Sequence, residues 1–174
     1  MVKVLSIVFF GLIAVLWQIN PILSINSTDT SLVRMPEPPT APALDITDLS
    51  GKLHTIGQYQ GRPILVHFWA TWCAPCRREL PALQRAYKVL EPDGVVVLAI
   101  NVGEQADHVR RFLSDQTLSF PILINPSSSL RDRWQLLGMP TTYVVDGRGK
   151  IVYGAVGERD WASKAILDLL ISLN

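Results

Sequence analysis

The run RPILVHFWA, Arg62 to Ala70, is apolar after Arg62 on both alternating sets of positions apart from His67. A half-exposed strand alternates apolar with polar residues, so this run predicts a strand covered on both faces. After it, Leu80, Leu83, Tyr87 and Leu90 recur at helical spacing. Pro81 sits inside that stripe, where it removes the bond to the carbonyl of Arg77 and is expected to kink the helix. GVVVLAINV, residues 94–102, predicts a second buried strand, and ADHVRRFLSDQ, residues 106–116, a second helix with Val109, Phe112 and Leu113 on one face. FPILIN, residues 120–125, is a short third strand. SSSLRDRWQLLG, residues 127–138, predicts a helix with serines for the N-cap, Trp134 in its core stripe and Gly138 as its stop. TTYVVD, the turn GRG and KIVYGAVG then predict a hairpin, and Asp160 is expected to cap a last helix that buries Ala162, Ile166 and Leu169. The order β-α-β-α-β-α-β-β-α implies an α/β sandwich with a central mixed sheet flanked by helices, parallel where helices cross over and antiparallel at the final hairpin.

The first 23 residues, MVKVLSIVFFGLIAVLWQINPIL, follow a different pattern: Lys3 precedes an apolar run from Val4 to Trp17 that resumes after Gln18 and Asn20. The segment is close to the roughly 20 residues a spanning helix needs, and QINPILSINST contains no Ala-x-Ala cleavage site. Residues 1–23 are therefore expected to be a retained membrane anchor rather than a cleaved signal peptide, with Lys3 inside and Trp17 near the outer interface. Either reading puts the rest of the chain across the cytoplasmic membrane, facing the periplasm or cell exterior, where disulfides persist. Residues 24–42 turn to Ser, Thr and Asn with four prolines in MPEPPTAP, which predicts a flexible linker, and residues 43–174 are expected to form one folded domain.

Charge narrows the function classes. The 16 basic and 15 acidic residues balance, and no basic run is longer than Arg77-Arg78 or Arg110-Arg111, which excludes nucleic acid as the main partner. The chemistry lies in its two cysteines, Cys73 and Cys76, spaced C-x-x-C between a buried strand and a helix. A bridge closing so small a loop constrains the unfolded chain little, so a structural staple is a poor reading. A closed zinc site takes about four ligands, and only His54, His67 and His108, scattered along the chain, could complete one. A redox pair needs no more than the two sulfurs and no cofactor. Cys73 would lie at or beside the helix N-cap, where free N–H groups and the helix dipole stabilise a thiolate. Cys76, one turn further in, would be the more buried, which gives Cys73 the role of nucleophile and Cys76 that of resolver.

The stretch ILVHFWATWCAPCRRELP resembles the TlpA/ResA-type thioredoxin-like thiol-disulfide oxidoreductases, and the resemblance runs from about Ala43 to the C-terminus. GMPTTYVVD, Gly138 to Asp146, and the extra strand and helix around residues 101–125, matching the central insertion of this type, carry it as well. The resemblance implies that Pro140 is cis and faces the cysteines, with Met139 and Thr141 bordering a substrate groove. Of the two tryptophans, Trp72 is expected to shield or present Cys73 and the other, Trp69, to pack in the core. Glu79 stands where such proteins carry an acidic residue near the pair; i+3 from Cys76, it is expected at the edge of the site, partly in water, exchanging a proton with the buried sulfur. His67 occupies the place of a buried acid in thioredoxins proper, and is read either as a hydrogen-bonded core imidazole or as a base assisting Cys76.

The implied function is a membrane-tethered reductase. It would take electrons from a membrane thiol transporter and reduce disulfides of extracytoplasmic proteins, apocytochrome c haem-site cysteines being the best-known substrate class. The Ala-Pro dipeptide between the cysteines lacks the histidine by which a C-P-H-C pair stabilises its thiolate, which favours a reductant. The alternatives are a disulfide oxidase or isomerase, a Cu(I)-handling metallochaperone using the soft thiolates, and a peroxidase, against which the tight C-x-x-C speaks.

Overall fold

The structure, a computed structural model, describes residues 32–174. The expected anchor and the linker up to residue 31 lie outside the described residues. A six-stranded sheet has the order β1-β8-β7-β4-β5-β6. Its strands are β1 (Val33–Arg34), β4 (Ile64–Trp69), β5 (Val96–Val102), β6 (Ile122–Asn125), β7 (Thr141–Val145) and β8 (Ile151–Val156), and a small hairpin of β2 (Ile46–Thr47) and β3 (Leu53–His54) stands apart. β4, β5 and β6 run parallel to one another, whereas β7 is antiparallel to β4 and β8 to β7, which is the expected mixed sheet.

Every residue of β4 and β5 is buried, as their unbroken apolar runs require. Alternation along β4 divides the core into two layers. Leu65 and Trp69 pack under the helices α1 (Ala74–Leu90) and α4 (Lys164–Ile171), with Leu80, Leu83, Ile166 and Leu170. Ile64, Val66 and Phe68 pack on the opposite face against Leu130 and Trp134, around α3 (Leu130–Arg133). α2 (Ala106–Phe112) and β6 fill residues 101–125, and β6 extends the sheet at its edge beside β5.

Several elements differ from their expected form. α1 runs unbroken through Pro81 from Ala74 to Leu90. α3 is only four residues long rather than reaching Gly138, because Gln135 takes a left-handed φ of 50° and the Leu136 N–H donates back to the Arg131 carbonyl at 2.9 Å. That is the closure by which helices stop at a left-handed residue, here without glycine. α4 starts after Ser163, so Asp160 binds the Ala162 N–H one turn early and Leu170 rather than Leu169 is fully buried. The proline-rich stretch expected as tether up to residue 42 is, from Val33 onward, laid along the sheet edge. Val33 and Arg34 pair with Gly154 and Tyr153, and Thr40 bridges Lys150.

Candidate active site

β4 ends at Trp69 and the chain turns through Thr71 and Trp72 into α1, so the helix starts at the end of a central strand. Cys73 is the N-cap of α1, in extended conformation, and the Cys76 N–H donates to its Sγ at 3.2 Å. Pro75 in the first helical turn needs no hydrogen bond there, which suits Pro to a position between the two cysteines. Cys73 and Cys76 are joined in a disulfide with Cα atoms 5.3 Å apart. Cys73 is 4% exposed and Cys76 not at all, so the small opening to solvent is at Cys73. Trp72 beside it is 67% exposed, whereas Trp69 is fully buried.

β7 is antiparallel to β4 with Thr141 opposite Phe68, which brings the loop before β7 to the same end of the sheet as the cysteines. The Met139–Pro140 peptide bond is cis, as the resemblance implies. A groove of about 200 Å³ lies between these two loops, with Trp72 and Met139 on its rim beside Gly103, Ser128, Arg131 and Leu136. Thr141, expected to border such a groove, is buried, and its hydroxyl donates to the Gly138 carbonyl at 2.7 Å. Its place is to hold the loop rather than to line the opening.

Glu79 corrects the expectation of a carboxylate partly in water: it is 2% exposed. The reason is the loop between β8 and α4, which closes over this face of α1. The Arg159 N–H donates to Glu79 Oε2 at 3.0 Å and the Trp161 indole N–H to the same oxygen at 3.2 Å. Burial pushes the Glu79 carboxyl up to about 7, against the pull of those two donors. His67, on the α1 side of β4, is also fully buried; its Nδ1 lies 2.9 Å from Thr142 Oγ1 and its Nε2 3.3 Å from Glu79 Oε1. Burial pulls the imidazole down to about 3, so it is neutral at physiological pH.

A clamp on the loop before the cysteines went unread in the sequence. The Glu104 carboxylate accepts from the Thr71 N–H at 2.7 Å, the Thr71 hydroxyl at 2.5 Å and the Asn101 amide at 2.7 Å. Burial raises this carboxyl, but the hydrogen bonds from Thr71 and Asn101 and the nearby His108 outweigh it, so Glu104 stays below the usual carboxylate range. Arg77 fixes the same loop from the helix side, donating to the Thr71 carbonyl at 2.9 Å. The available signal was Asn101, a lone amide near the end of an apolar strand, which needs a partner when buried.

The sheet order, the cysteine pair capping a helix and the cis-proline loop beside it define a thioredoxin-like α/β protein. The AhpC/TSA family model matches residues 39–154, and the chain belongs to that family. It is 37% identical over 112 residues, 64% of either chain, to the thiol-disulfide oxidoreductase ResA of Geobacillus thermodenitrificans. With ResA of Bacillus subtilis it shares 31% identity over 117 residues, 67% of this chain and 65% of that one. The match thus spans just under two thirds of the length of these relatives. Among solved structures, a thiol:disulfide interchange protein of the thioredoxin family from Chlorobium tepidum superposes with a TM-score of 0.67 at 26% identity, over 79% of this chain and 99% of that one. StoA from Bacillus subtilis does so with a TM-score of 0.63 at 25% identity, over 78% and 98%.

Proposed function

We propose that this protein is a thiol-disulfide oxidoreductase that reduces disulfides of proteins outside the cytoplasm. The observation that carries the reading is the Cys73–Cys76 pair at the head of α1, whose small opening to solvent is at Cys73, next to a groove rimmed by Trp72 and Met139. In the reduced protein the Cys73 thiolate attacks a substrate disulfide, forming a mixed disulfide and expelling one substrate thiolate. Cys76 then gives its proton to Glu79, and its thiolate attacks Cys73 Sγ. The second substrate thiolate leaves, the substrate has gained two electrons, and the protein holds the disulfide. A further dithiol must restore the pair, and a membrane thiol transporter is the partner that fits. The ResA relatives, thiol-disulfide oxidoreductases by name, belong to the same reaction class.

Direction follows from charge. A strong oxidant stabilises its thiolate, and here the imidazole of His67 is held neutral by burial while Glu79 is an acid. The pair is expected to behave as a reductant, with a potential in the range of about −200 to −270 mV spanned by glutaredoxins and thioredoxin. Equilibration of the pair with graded glutathione mixtures measures this, and a value near the roughly −120 mV of a strong oxidase overturns the reductant reading.

The proposed setting is the outer side of the cytoplasmic membrane, with residues 1–23 as the anchor and apocytochrome c among the substrates. The apolar run from Val4 to Trp17 and the lack of an Ala-x-Ala site support it. No helix among the described residues is long and apolar enough to cross a membrane. The full chain is expected to fractionate with membranes and to keep Met1–Leu23; a mature N-terminus between Ser24 and Ala43 defeats the anchor.

A further inference from the structure

His67 lies on the face of β4 that carries Leu65 and Trp69 toward α1. There it is caught between two polar groups of very different character. Opposite it in register on β7 is Thr142, whose Oγ1 is 2.9 Å from Nδ1. Below it is Glu79 of α1, whose Oε1 is 3.3 Å from Nε2, with both side chains fully buried. The other Glu79 oxygen is already satisfied by Arg159 N–H and Trp161 Nε1. Nε2 and Oε1 have no other hydrogen-bond partner, so each of these buried atoms has only the other to face.

Counting protons then limits the arrangements. A neutral imidazole carries one N–H and one lone pair. With the proton on Nδ1, the ring donates to the Thr142 oxygen, and the bare Nε2 suits a protonated Glu79 whose O–H points at it. With the proton on Nε2, the ring donates to an ionised Glu79, and the Thr142 hydroxyl rotates to donate to the bare Nδ1. Both states pair the two ring nitrogens and the facing Glu79 oxygen. The mixed state, a carboxylate facing a bare Nε2, sets a lone pair against a charged oxygen without water to separate them.

We propose that His67, Glu79 and Thr142 form one proton site, in which ionisation of Glu79 is coupled to a switch of the His67 proton from Nδ1 to Nε2 and to reversal of the Thr142 hydroxyl. Three mobile protons are present in the neutral state and two in the ionised state. In the proposed exchange the proton released is the one passed to the Cys76 thiolate when the disulfide is opened and returned when Cys76 attacks, which requires a Glu79 oxygen to turn from its partners His67, Arg159 and Trp161; electrons move only among the sulfurs. His67 is thus a positioning residue for Glu79. The inference rests on the proposed exchange only for the destination of that proton. The other charged groups toward this site are Glu158 and Arg159 in the loop before α4; Cys73 and Cys76 on α1 are joined in the disulfide and do not titrate in the oxidised protein, and Trp161 and Thr142 add no titrating charge.

The test is nitrogen-15 NMR of the His67 ring, with carbon-13 NMR of the Glu79 carboxyl, in the full chain in detergent micelles, oxidised, from about pH 5 to about pH 9. The ring is expected to pass from the Nδ1–H to the Nε2–H tautomer with the same midpoint as the carboxyl. A ring that keeps one tautomer while Glu79 titrates overturns the proposal. Thr142→Val keeps the side-chain shape and removes the hydroxyl, which leaves Nδ1 without an acceptor. The variant also removes the donor to a bare Nδ1, but a buried N–H without an acceptor is worse tolerated than a bare lone pair, so the Nε2–H form should gain and the Glu79 midpoint should fall, by up to about one pH unit; a midpoint that rises overturns the coupling. Disulfide exchange measured on the same samples separates the two readings. Coupling lost with exchange intact defeats this inference alone, whereas coupling present in a protein that performs no exchange supports the proton site and defeats the oxidoreductase reading.

Discussion

Replacing Cys73 by alanine is expected to abolish disulfide exchange, whereas Cys76→Ala should still attack its substrate and accumulate a mixed disulfide through Cys73. The asymmetry comes from the start of α1. Cys73 is the N-cap, with the Cys76 N–H directed at its sulfur, and it has the only exposure of the pair. A thiolate at that place gains from the free N–H groups and from the positive end of a 17-residue helix. Cys76 sits inside the first turn with no exposed surface, so it reaches only a sulfur already attached to Cys73. In the reduced wild type, Cys73 should alkylate faster than Cys76 by about tenfold or more at neutral pH, read by mass spectrometry of the modified peptides. Turnover should fall to background in both variants, but only Cys76→Ala should yield the trapped complex on a non-reducing gel. Faster alkylation of Cys76, or a complex trapped by Cys73→Ala, reverses the assignment.

The sequence carried those parts of this arrangement that depend on near neighbours. The buried strands β4 and β5 are unbroken apolar runs because the sheet is covered on both faces, and the placing of Cys73 as N-cap follows from a buried strand ending just ahead of a helical stripe. Short elements held by distant contacts were not legible. β2 and β3 have two residues each, too few for any period, and are pinned by His54, which bridges Tyr59 and Asp48. The stretch after Val33 reads as tether by composition, yet proline already favours the extended backbone that an edge segment needs. Its non-proline residues supply the bonds: Met35 N–H to the Val152 carbonyl and Ala41 N–H to that of Gly149, while Pro39 accepts from Ile151. Glu79 was misplaced for a related reason. Helical spacing sets the face of α1 on which it lies, but its burial is decided by Arg159 and Trp161, about 80 residues further on. Glu104 escaped notice because its partners Thr71 and Asn101 lie on different segments.

Burial changes what Glu79→Gln should do. A carboxylate partly in water would leave the melting temperature almost unmoved, but the observed carboxyl is enclosed and held at about 7, above its ordinary 4.5. Its folded-state value is raised, so the stability it contributes is fully present below about pH 4.5 and is lost as pH rises through 7. His67 works in the opposite sense: pulled from 6.5 to about 3, it contributes stability above 6.5 that is lost as pH falls through 3. The two slopes oppose each other where both groups titrate, so the stability of wild type alone hides them. The difference between wild type and Glu79→Gln isolates the carboxyl. From pH 4 to 8 it should shift in favour of the variant by on the order of 3 kcal/mol, measured by denaturant unfolding at each pH. Exchange should move the other way. Glutamine accepts no proton from Cys76, so the resolving step should slow by about a hundredfold and lose its inflection near neutral pH. Cys73 alkylation should meanwhile shift to lower pH, because a nearby negative charge no longer opposes the thiolate. A variant whose stability difference stays flat with pH shows that Glu79 ionises as an ordinary surface carboxylate. One that keeps the wild-type rate profile removes it from the proton path between Cys76 and solvent.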